Sequence, residues 1–432
     1  MAAPLNGMSY WQQYADGASQ VPSVDPPADA DVVIIGGGLA GLSAAIAILE
    51  RQPGLSPVVL ESEFVGFGAS GRNGGLLSPL PVPVWLLTAD DNADHAWALR
   101  ILNSRLHALG AGLAAKVPES EIRPCTLRLQ AMGRLSASGL AKVAATLQRA
   151  AIGYSLAPDP ARDGKPTLDL PAHTVDPYRL VRALAVHAVA LGARICERAR
   201  VESIEETRGG ALVRLARGRQ VRAGRVLVCT NAYTSSIAMA SPPRAKVVRN
   251  YMVATETLSE DAVARLGNGR SFMVELNKSY VFYRLHEGRL VYGGVETFFR
   301  TPKSDYDVPA SIRTSLERHL SKSVPWCKDI RIATQWGGAF HSTATDLPII
   351  RRAHGTKAIV FNVGYGGTGV ALTQLFSHFA AATLLDLPCR DAEETRLRAI
   401  LQNTKLPLKN LLQFGASVAW DVVKGGAMMK GR

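Results

Sequence analysis

The residues best suited to chemistry lie between Asp31 and Glu61, in DVVIIGGGLAGLSAAIAILERQPGLSPVVLE. Gly36, Gly38 and Gly41 form G-x-G-x-x-G directly after the apolar run Val32–Ile35, and Glu61 closes a second apolar run twenty residues beyond Gly41. The first glycine permits a tight turn, the second lets a pyrophosphate approach the backbone, and the third lets helix and strand pack closely. With Leu39 and Ala40, these glycines open a helix whose free amides and positive dipole end suit phosphates. Glu61, with Ser62 beside it, is placed to accept from ribose hydroxyls. A glycine-rich turn in an ordinary α/β unit is the alternative, but strand, helix, second strand and terminal acid all fall in place. The spacing predicts a dinucleotide site.

A second stretch, ESEFVGFGASGRNGGLLSPLP, crowds Gly66, Gly68, Gly71, Gly74 and Gly75 around Ser70, Arg72 and Asn73. Ordering glycine is entropically costly. So dense a loop makes sense where backbone lies against a flat ligand while serine, arginine and asparagine reach its polar edges. A third stretch, KAIVFNVGYGGTGVALTQLFSHFAAATLLD, reads as strand, glycine turn and helix.

Elements must hold these stretches together. EIRPCTLRLQAM reads as a strand between helical patterns that run from about Asp90 to Ala151, and Asp176-Pro177 caps a helix that Gly192 stops. Residues 246–296 are β-rich, with a hairpin turned at His286-Glu287-Gly288. Near the start, Tyr10, Trp11 and Tyr14 at near-helical spacing could dock an N-terminal arm on the body.

The totals bound the class. At 432 residues, two or three domains are expected, and the hydrophobic and charged shares of 47% and 20% suit a soluble globular protein. Net charge is +13, yet the nine arginines from Arg194 to Arg225 are interleaved with acids and lack aromatics for base stacking, so no nucleic-acid partner is expected. Five scattered cysteines without C-x-x-C suggest reduced thiols, and no metal-ligand spacing appears. The first basic residue is Arg51, and no apolar run of the roughly 18 residues needed to span a bilayer is expected. A cytoplasmic location is therefore expected. The helical tail LKNLLQFGASVAWDVVK could touch a membrane surface, although packing on the body is the simpler reading.

GGGLAG, GFGASGRNGG and VGYGGTGVAL, with VLVCTNAYT, YRLHEGRLVYGG and WGGAFHSTATDLPII between them, resemble the FAD-dependent D-amino acid oxidase and glycine oxidase superfamily. Within it the chain is similar to γ-glutamylputrescine oxidase-like proteins, through A-S-G-R-N-G-G. The resemblance spans roughly residues 8 to 390 and implies FAD as cofactor. Gly36, Gly38, Gly41 and Glu61 would hold pyrophosphate and ribose, Val201 would border the adenine, and Thr230 and Asn231 would close over the pyrophosphate. Gly68, Ala69, Ser70, Arg72, Asn73 and Gly74 would line flavin and ribityl. Gly364, Gly366, Gly367, Thr368 and Gly369 would bring helix amides to the flavin's pyrimidine edge.

WGGAF stands where related sarcosine oxidases carry a flavin-linking cysteine, which implies non-covalent FAD. Ala371 stands where they carry a carboxylate-binding lysine, which implies an amine whose acid group is distant or absent. Tyr251, Tyr283, Arg284 and Trp336 become candidates for the substrate cavity, each with a plain packing role or structural ion pair as its alternative.

The implied fold is α/β with an α+β insert: a discontinuous Rossmann-like FAD-binding domain (31–80, 172–244 and 331–388) interleaved with a substrate domain (81–171 and 245–330) on a mixed, largely antiparallel sheet. An arm (1–30) and a helical tail (389–432) flank them. The implied reaction oxidises an amine or amino-acid C–N bond to an imine, with oxygen reduced to hydrogen peroxide. Alternatives on the same fold are a dehydrogenase passing electrons to a membrane or protein acceptor, a tRNA-modifying flavoprotein and a non-catalytic FAD-binding protein.

Overall fold

A computed structural model describes residues 7–15, 17–80, 93–131, 134–159, 164–243, 245–276, 281–299, 308–327, 330–343, 345 and 347–403. In chain order the strands are β1 (Asp29–Ile35), β2 (Val58–Leu60), β3 (Leu76–Leu77), β4 (Arg123–Ala131), β5 (Ser155–Asp159) and β6 (Lys165–Thr174). Next come β7 (Arg194–Cys196), β8 (Val201–Thr207), β9 (Gly210–Leu215), β10 (Gln220–Val228), β11 (Lys246–Thr255) and β12 (Ser271–Leu276). The last five are β13 (Val281–His286), β14 (Arg289–Phe299), β15 (Ile332–Ser342), β16 (Ile349–Arg352) and β17 (Ile359–Val363).

Two sheets account for all of them. The first runs β16-β17-β10-β1-β2-β7, with β8 and β9 attached through β10. The pairs β1/β2, β1/β10, β10/β17 and β2/β7 are parallel. Wholly apolar strands such as Val32–Ile35 and Val58–Leu60 are what a sheet covered on both faces requires. One face carries the small-residue helix Leu39–Arg51 with the helices Pro177–Ala190 and Gly369–Leu385; the other is closed by β8 and β9. The second sheet runs β15-β11-β14-β13-β12-β4-β6-β3, with β5 on β6, and is antiparallel except for β4/β12.

The division of the chain differs from the expected boundaries in three places. Strand β15 pairs with β11 over ten positions from Lys246↔Ser342 to Thr255↔Ile332, so residues 332–342 lie in the second sheet. Residues 172–174 end β6, also in that sheet. The helix Ala93–Lys116, expected in the substrate domain, sends Leu102, Leu106 and Leu113 into the same core as Leu42 and Leu372, on the first sheet. An amphipathic pattern shows that a helix has a buried face, not which layer receives it.

The helix Gly366–Leu385 is long and apolar enough to cross a membrane by length and composition, contrary to the expectation that no such run exists. Two-thirds of it is buried, and it packs on Leu39–Arg51 as a core helix. The helix Ala392–Asn403 also packs on the body, with Leu397 buried and Arg396 lying 4.2 Å over the Trp97 ring. The membrane-contact candidate LKNLLQFGASVAWDVVK lies outside the described residues.

Asp176 caps Pro177–Ala190 as expected, accepting from the amides of Tyr178 (2.9 Å) and Arg179 (3.0 Å). Burial pushes its carboxyl up to about 6 from 3.8, against the pull of those amides and of Arg284 and Arg179. The native protein thus holds a proton that the unfolded chain releases between pH 4 and 6, and stability falls as pH rises through that window. Asn caps as well as Asp, so Asp176→Asn removes the titration. In chemical denaturation the variant should gain up to about 2 kcal/mol relative to wild type between pH 4 and 7. A difference independent of pH would refute this reading.

Candidate cofactor cavity and active site

The three glycine stretches meet around one cavity of about 450 Å³, within the range of sites for small ligands. At one end lie Gly36, Gly38, Leu39, Ala40, Glu61 and Ser62, with Val201, Thr230 and Asn231 beside them. Gly68, Ala69, Ser70, Arg72, Asn73 and Gly74 form one wall, and Gly366, Gly367 and Gly369 complete the lining from the far end of the chain.

Three expected residues stand behind that surface. Gly41 is packed so tightly that a Cβ there would lie 2.0 Å from the Gly36 carbonyl oxygen; its part is the close contact of helix and strand. Gly36 itself sits at φ +110°, and its amide donates to Leu60 O at 2.8 Å. The Gly364 amide donates to Asn231 Oδ1 at 3.0 Å and fixes that loop. Thr368 lies behind its glycine neighbours, with its buried hydroxyl lacking a hydrogen-bond partner.

Glu61 lines the cavity with its carboxylate fixed by three donors. Its Oε2 accepts from the Gly37 amide at 2.8 Å, and its Oε1 accepts from the Glu63 amide at 3.0 Å and from Ser62 Oγ at 3.1 Å. Desolvation raises its pKa, and these three donors oppose the rise. Ser70 Oγ accepts from the Leu39 amide at 2.9 Å, tying the second glycine stretch to the helix start laid down by the first.

Arg72 and Asn73 line the cavity, but their polar atoms brace the loop rather than serving only a ligand's edge. Arg72, 3% exposed, donates to the carbonyls of Phe67 (2.6 Å), Gly7 (2.6 Å) and Gly337 (3.3 Å). Asn73 donates to Ala69 O and Ser70 O, both at 3.0 Å, and accepts from the Gly75 amide at 2.8 Å. A loop with this many glycines is ordered by such bonds because it has few side chains to pack.

The N-terminal arm supplies the rest of the brace. Ser9 Oγ donates to Gly71 O (2.7 Å), Trp11 Nε1 to Asn73 O (2.7 Å) and Gln12 Nε2 to Gly66 O (3.1 Å). Tyr10 and Trp11 are buried, while Tyr14, 43% exposed, lies at the edge of the dock against Tyr10 and under Arg289 at 5.2 Å.

The four substrate-cavity candidates are elsewhere. Tyr251 and Tyr283 face the reverse side of the second sheet, in a core shared with Tyr292, Leu316 and Leu320 beneath the helix Ala310–Ser323. Successive side chains alternate between sheet faces, so a one-residue error in assigning the face exchanges wall for core. Their neighbours Met252 and Phe282 line the cavity instead. Trp336 is buried with Tyr10 and Trp11 and donates to Arg72 O at 2.8 Å. Arg284 lies 4.7 Å over the Trp11 ring and donates to Gly75 O (3.1 Å) and Val175 O (2.9 Å). Burial lowers its pKa to about 10. Both serve the loop from behind.

The sequence reading also missed Phe272, Val274, Phe340, Asn250 and Glu296 on the wall formed by the second sheet, and Tyr233 beside Gly68. Period-two alternation anchored on a known register would have found the first three.

The residues present fit a dinucleotide. The helices Leu39–Arg51 and Gly369–Leu385 both start at the cavity without a cap from their own N-cap residue, Ser70 taking only the first amide of the former, and a Cβ on Gly367 would meet nothing within 4 Å. Uncapped helix amides beside open space suit a pyrophosphate and an electron-rich ring edge.

Comparison with known proteins places the chain in a class. Residues 31–383 match the DAO family, "FAD dependent oxidoreductase", and the chain belongs to it. It is therefore an FAD-dependent oxidoreductase. Its similarity to gamma-glutamylputrescine oxidoreductase of Escherichia coli (strain K12) is 28% identity over 92% of this chain and 93% of that one. In structure it is similar to glycine oxidase from Geobacillus kaustophilus, at 18% identity and TM-score 0.70 over 84% and 96% of the two chains. L-proline dehydrogenase from P. horikoshii gives 16% identity and TM-score 0.71 over 88% and 100%. These structural likenesses show the fold.

Gly38→Val tests the phosphate end, because a Cβ there already meets Ser70 Oγ at 2.8 Å and a branched one also fills the phosphate approach. The purified variant should lack flavin absorption. Glu61→Gln should weaken FAD about ten-fold by titration of the apoprotein, the scale of one charge-assisted hydrogen bond. Retention of full yellow colour by the valine variant would disprove the assignment of this turn.

Proposed function

We propose that this protein oxidises the C–N bond of an amine, with non-covalently held FAD as the immediate acceptor and oxygen as the final one. The observation that carries the reading is the continuity of one cavity, from the Gly36–Gly38 turn to the Gly366–Gly369 turn, roofed by an apolar wall of the second sheet. Similarity to gamma-glutamylputrescine oxidoreductase supports an amine as substrate.

Bound FAD would supply the two-electron acceptor for hydride leaving the carbon beside the amine nitrogen; water would convert the resulting imine to a carbonyl product and an amine or ammonia. The chain's own residues bind, orient and dry the site. Gly36, Gly38 and the first amides of Leu39–Arg51 would hold the pyrophosphate, and Glu61 the ribose. The amides that open Gly369–Leu385 would favour the negative charge that collects at the ring edge on reduction. Met252, Phe272 and Phe282 form the opposing apolar wall. An apolar wall favours the uncharged amine, the form that can lose hydride, by penalising its ammonium. Orientation and exclusion of water are what a flavin enzyme's protein must add.

The reading makes a direct prediction. Under anaerobic conditions a panel of amines should bleach the visible absorption of the flavin, and air should restore it with one hydrogen peroxide per turnover. Bleaching by hydroxy acids or glycerol phosphates and by no amine would refute the C–N assignment. Bleaching by amines with recovery only on adding a quinone or dye would refute oxygen as acceptor.

A further inference from the structure

The glycine loop between β2 and β3 spends its acceptors on the protein. Every carbonyl from Gly66 to Asn73 accepts a hydrogen bond from another part of the chain or from the loop itself. Two consecutive carbonyls are taken by indoles. Trp336 Nε1 donates to Arg72 O at 2.8 Å, and Trp11 Nε1 donates to Asn73 O at 2.7 Å. One indole stands on β15 and the other on the N-terminal arm, and both are buried in one cluster with Tyr10 and Met252. Trp11 is fixed in turn by Arg284, 4.7 Å over its ring, and by the edge contact of His286 at 4.8 Å.

The donors of the same stretch are left over. In a trans peptide the C=O and the following N–H point in opposite directions. Carbonyls of Arg72 and Asn73 turned to the indoles therefore turn the amides of Asn73 and Gly74 away from them. Neither amide donates to another described residue, and both residues line the cavity. Acceptors are thus held behind the loop and donors face the ligand. Successive backbone amides preset in this way act most strongly on a group that gains negative charge, as a flavin does on reduction. Packing alone does not require the arrangement, because a phenyl ring would also fill an apolar cluster. A buried indole must find an acceptor, and both indoles find neighbouring carbonyls of this one loop.

We propose that Trp11 and Trp336 are positioning residues for the bound flavin. By clamping consecutive carbonyls they aim the Asn73 and Gly74 amides at the electron-rich edge of its ring and so favour its reduced form. The action passes through the backbone, since neither tryptophan lines the cavity. It concerns the cofactor and holds whichever donor is oxidised.

The test uses Trp11→Phe and Trp336→Phe, which keep a ring and remove its donor. Each holoenzyme, prepared with excess FAD, is titrated with sulfite, which adds to an electron-poor flavin and bleaches it, and the flavin midpoint potential is measured against reference dyes. Each variant should bind sulfite at least about five-fold more weakly than wild type, the scale of one hydrogen bond, and its potential should be lower. Trp11→His, which keeps a ring N–H, should recover part of the loss. Leu397→Ala, in the core far along the chain, should lower the melting temperature and move neither value. A lower melting temperature or FAD affinity with sulfite binding and potential unchanged in both phenylalanine variants overturns the proposal and leaves a structural brace. If one of them does not hold FAD, the other decides, because the two indoles bond separate carbonyls. Loss of FAD from both at saturating cofactor also overturns it, since the clamp would then serve binding rather than reduction.

Discussion

The contact on which this structure depends is that between Gly41 and the carbonyl of Gly36. A side chain at Gly41 has no room, because a Cβ would lie 2.0 Å from that oxygen. The closeness sets the helix Leu39–Arg51 against β1 and brings its first turn to the cavity. The neighbouring bonds are arranged around that fixed point. Ser70 accepts from the Leu39 amide, Glu61 accepts from the Gly37 amide, and Cys229 and Thr230 at the end of β10 lie against Gly36. This end of the cavity is largely backbone, with side chains used to hold that backbone in place.

The interleaving of the two sheets brings distant parts of the chain to one cavity. The first glycine turn and the last line one cavity, so the chain leaves the first sheet, builds a roof and returns. The glycine loop between β2 and β3 is the seam. It has almost no side chains of its own to pack, and Arg72, Asn73, Trp336, Arg284 and the N-terminal arm together bond its carbonyls. The buried arginines are stable there because carbonyls and the Trp11 ring take the place of water.

What could be read from the sequence was what is encoded locally. The glycine spacings, the acid ending β2, the cap at Asp176 and the hairpin at Glu287-Gly288 each depend on neighbours in the chain. The docking of Tyr10 and Trp11 followed from their spacing and aromatic character. What depends on pairing was harder to see. Tyr251 and Tyr283 were placed on the wrong face because parity in a strand has no meaning until its register is known. The helix Ala93–Lys116 was assigned to the wrong layer because its apolar stripe fits either. Arg72 and Arg284 looked like ligand contacts because burial and the supply of carbonyl acceptors arise only in the folded state.

The pleat of the second sheet separates two tasks by residue parity. Met252, Phe272 and Phe282 face the ligand, while Tyr251, Met273 and Tyr283 face a second core on the reverse side. The cavity side is nonetheless core as well, since Met252 is packed with Trp11 and Trp336 and Phe272 with Leu127 and Leu170. A change of side chain at either position therefore alters the shape of the wall and the packing beneath it together.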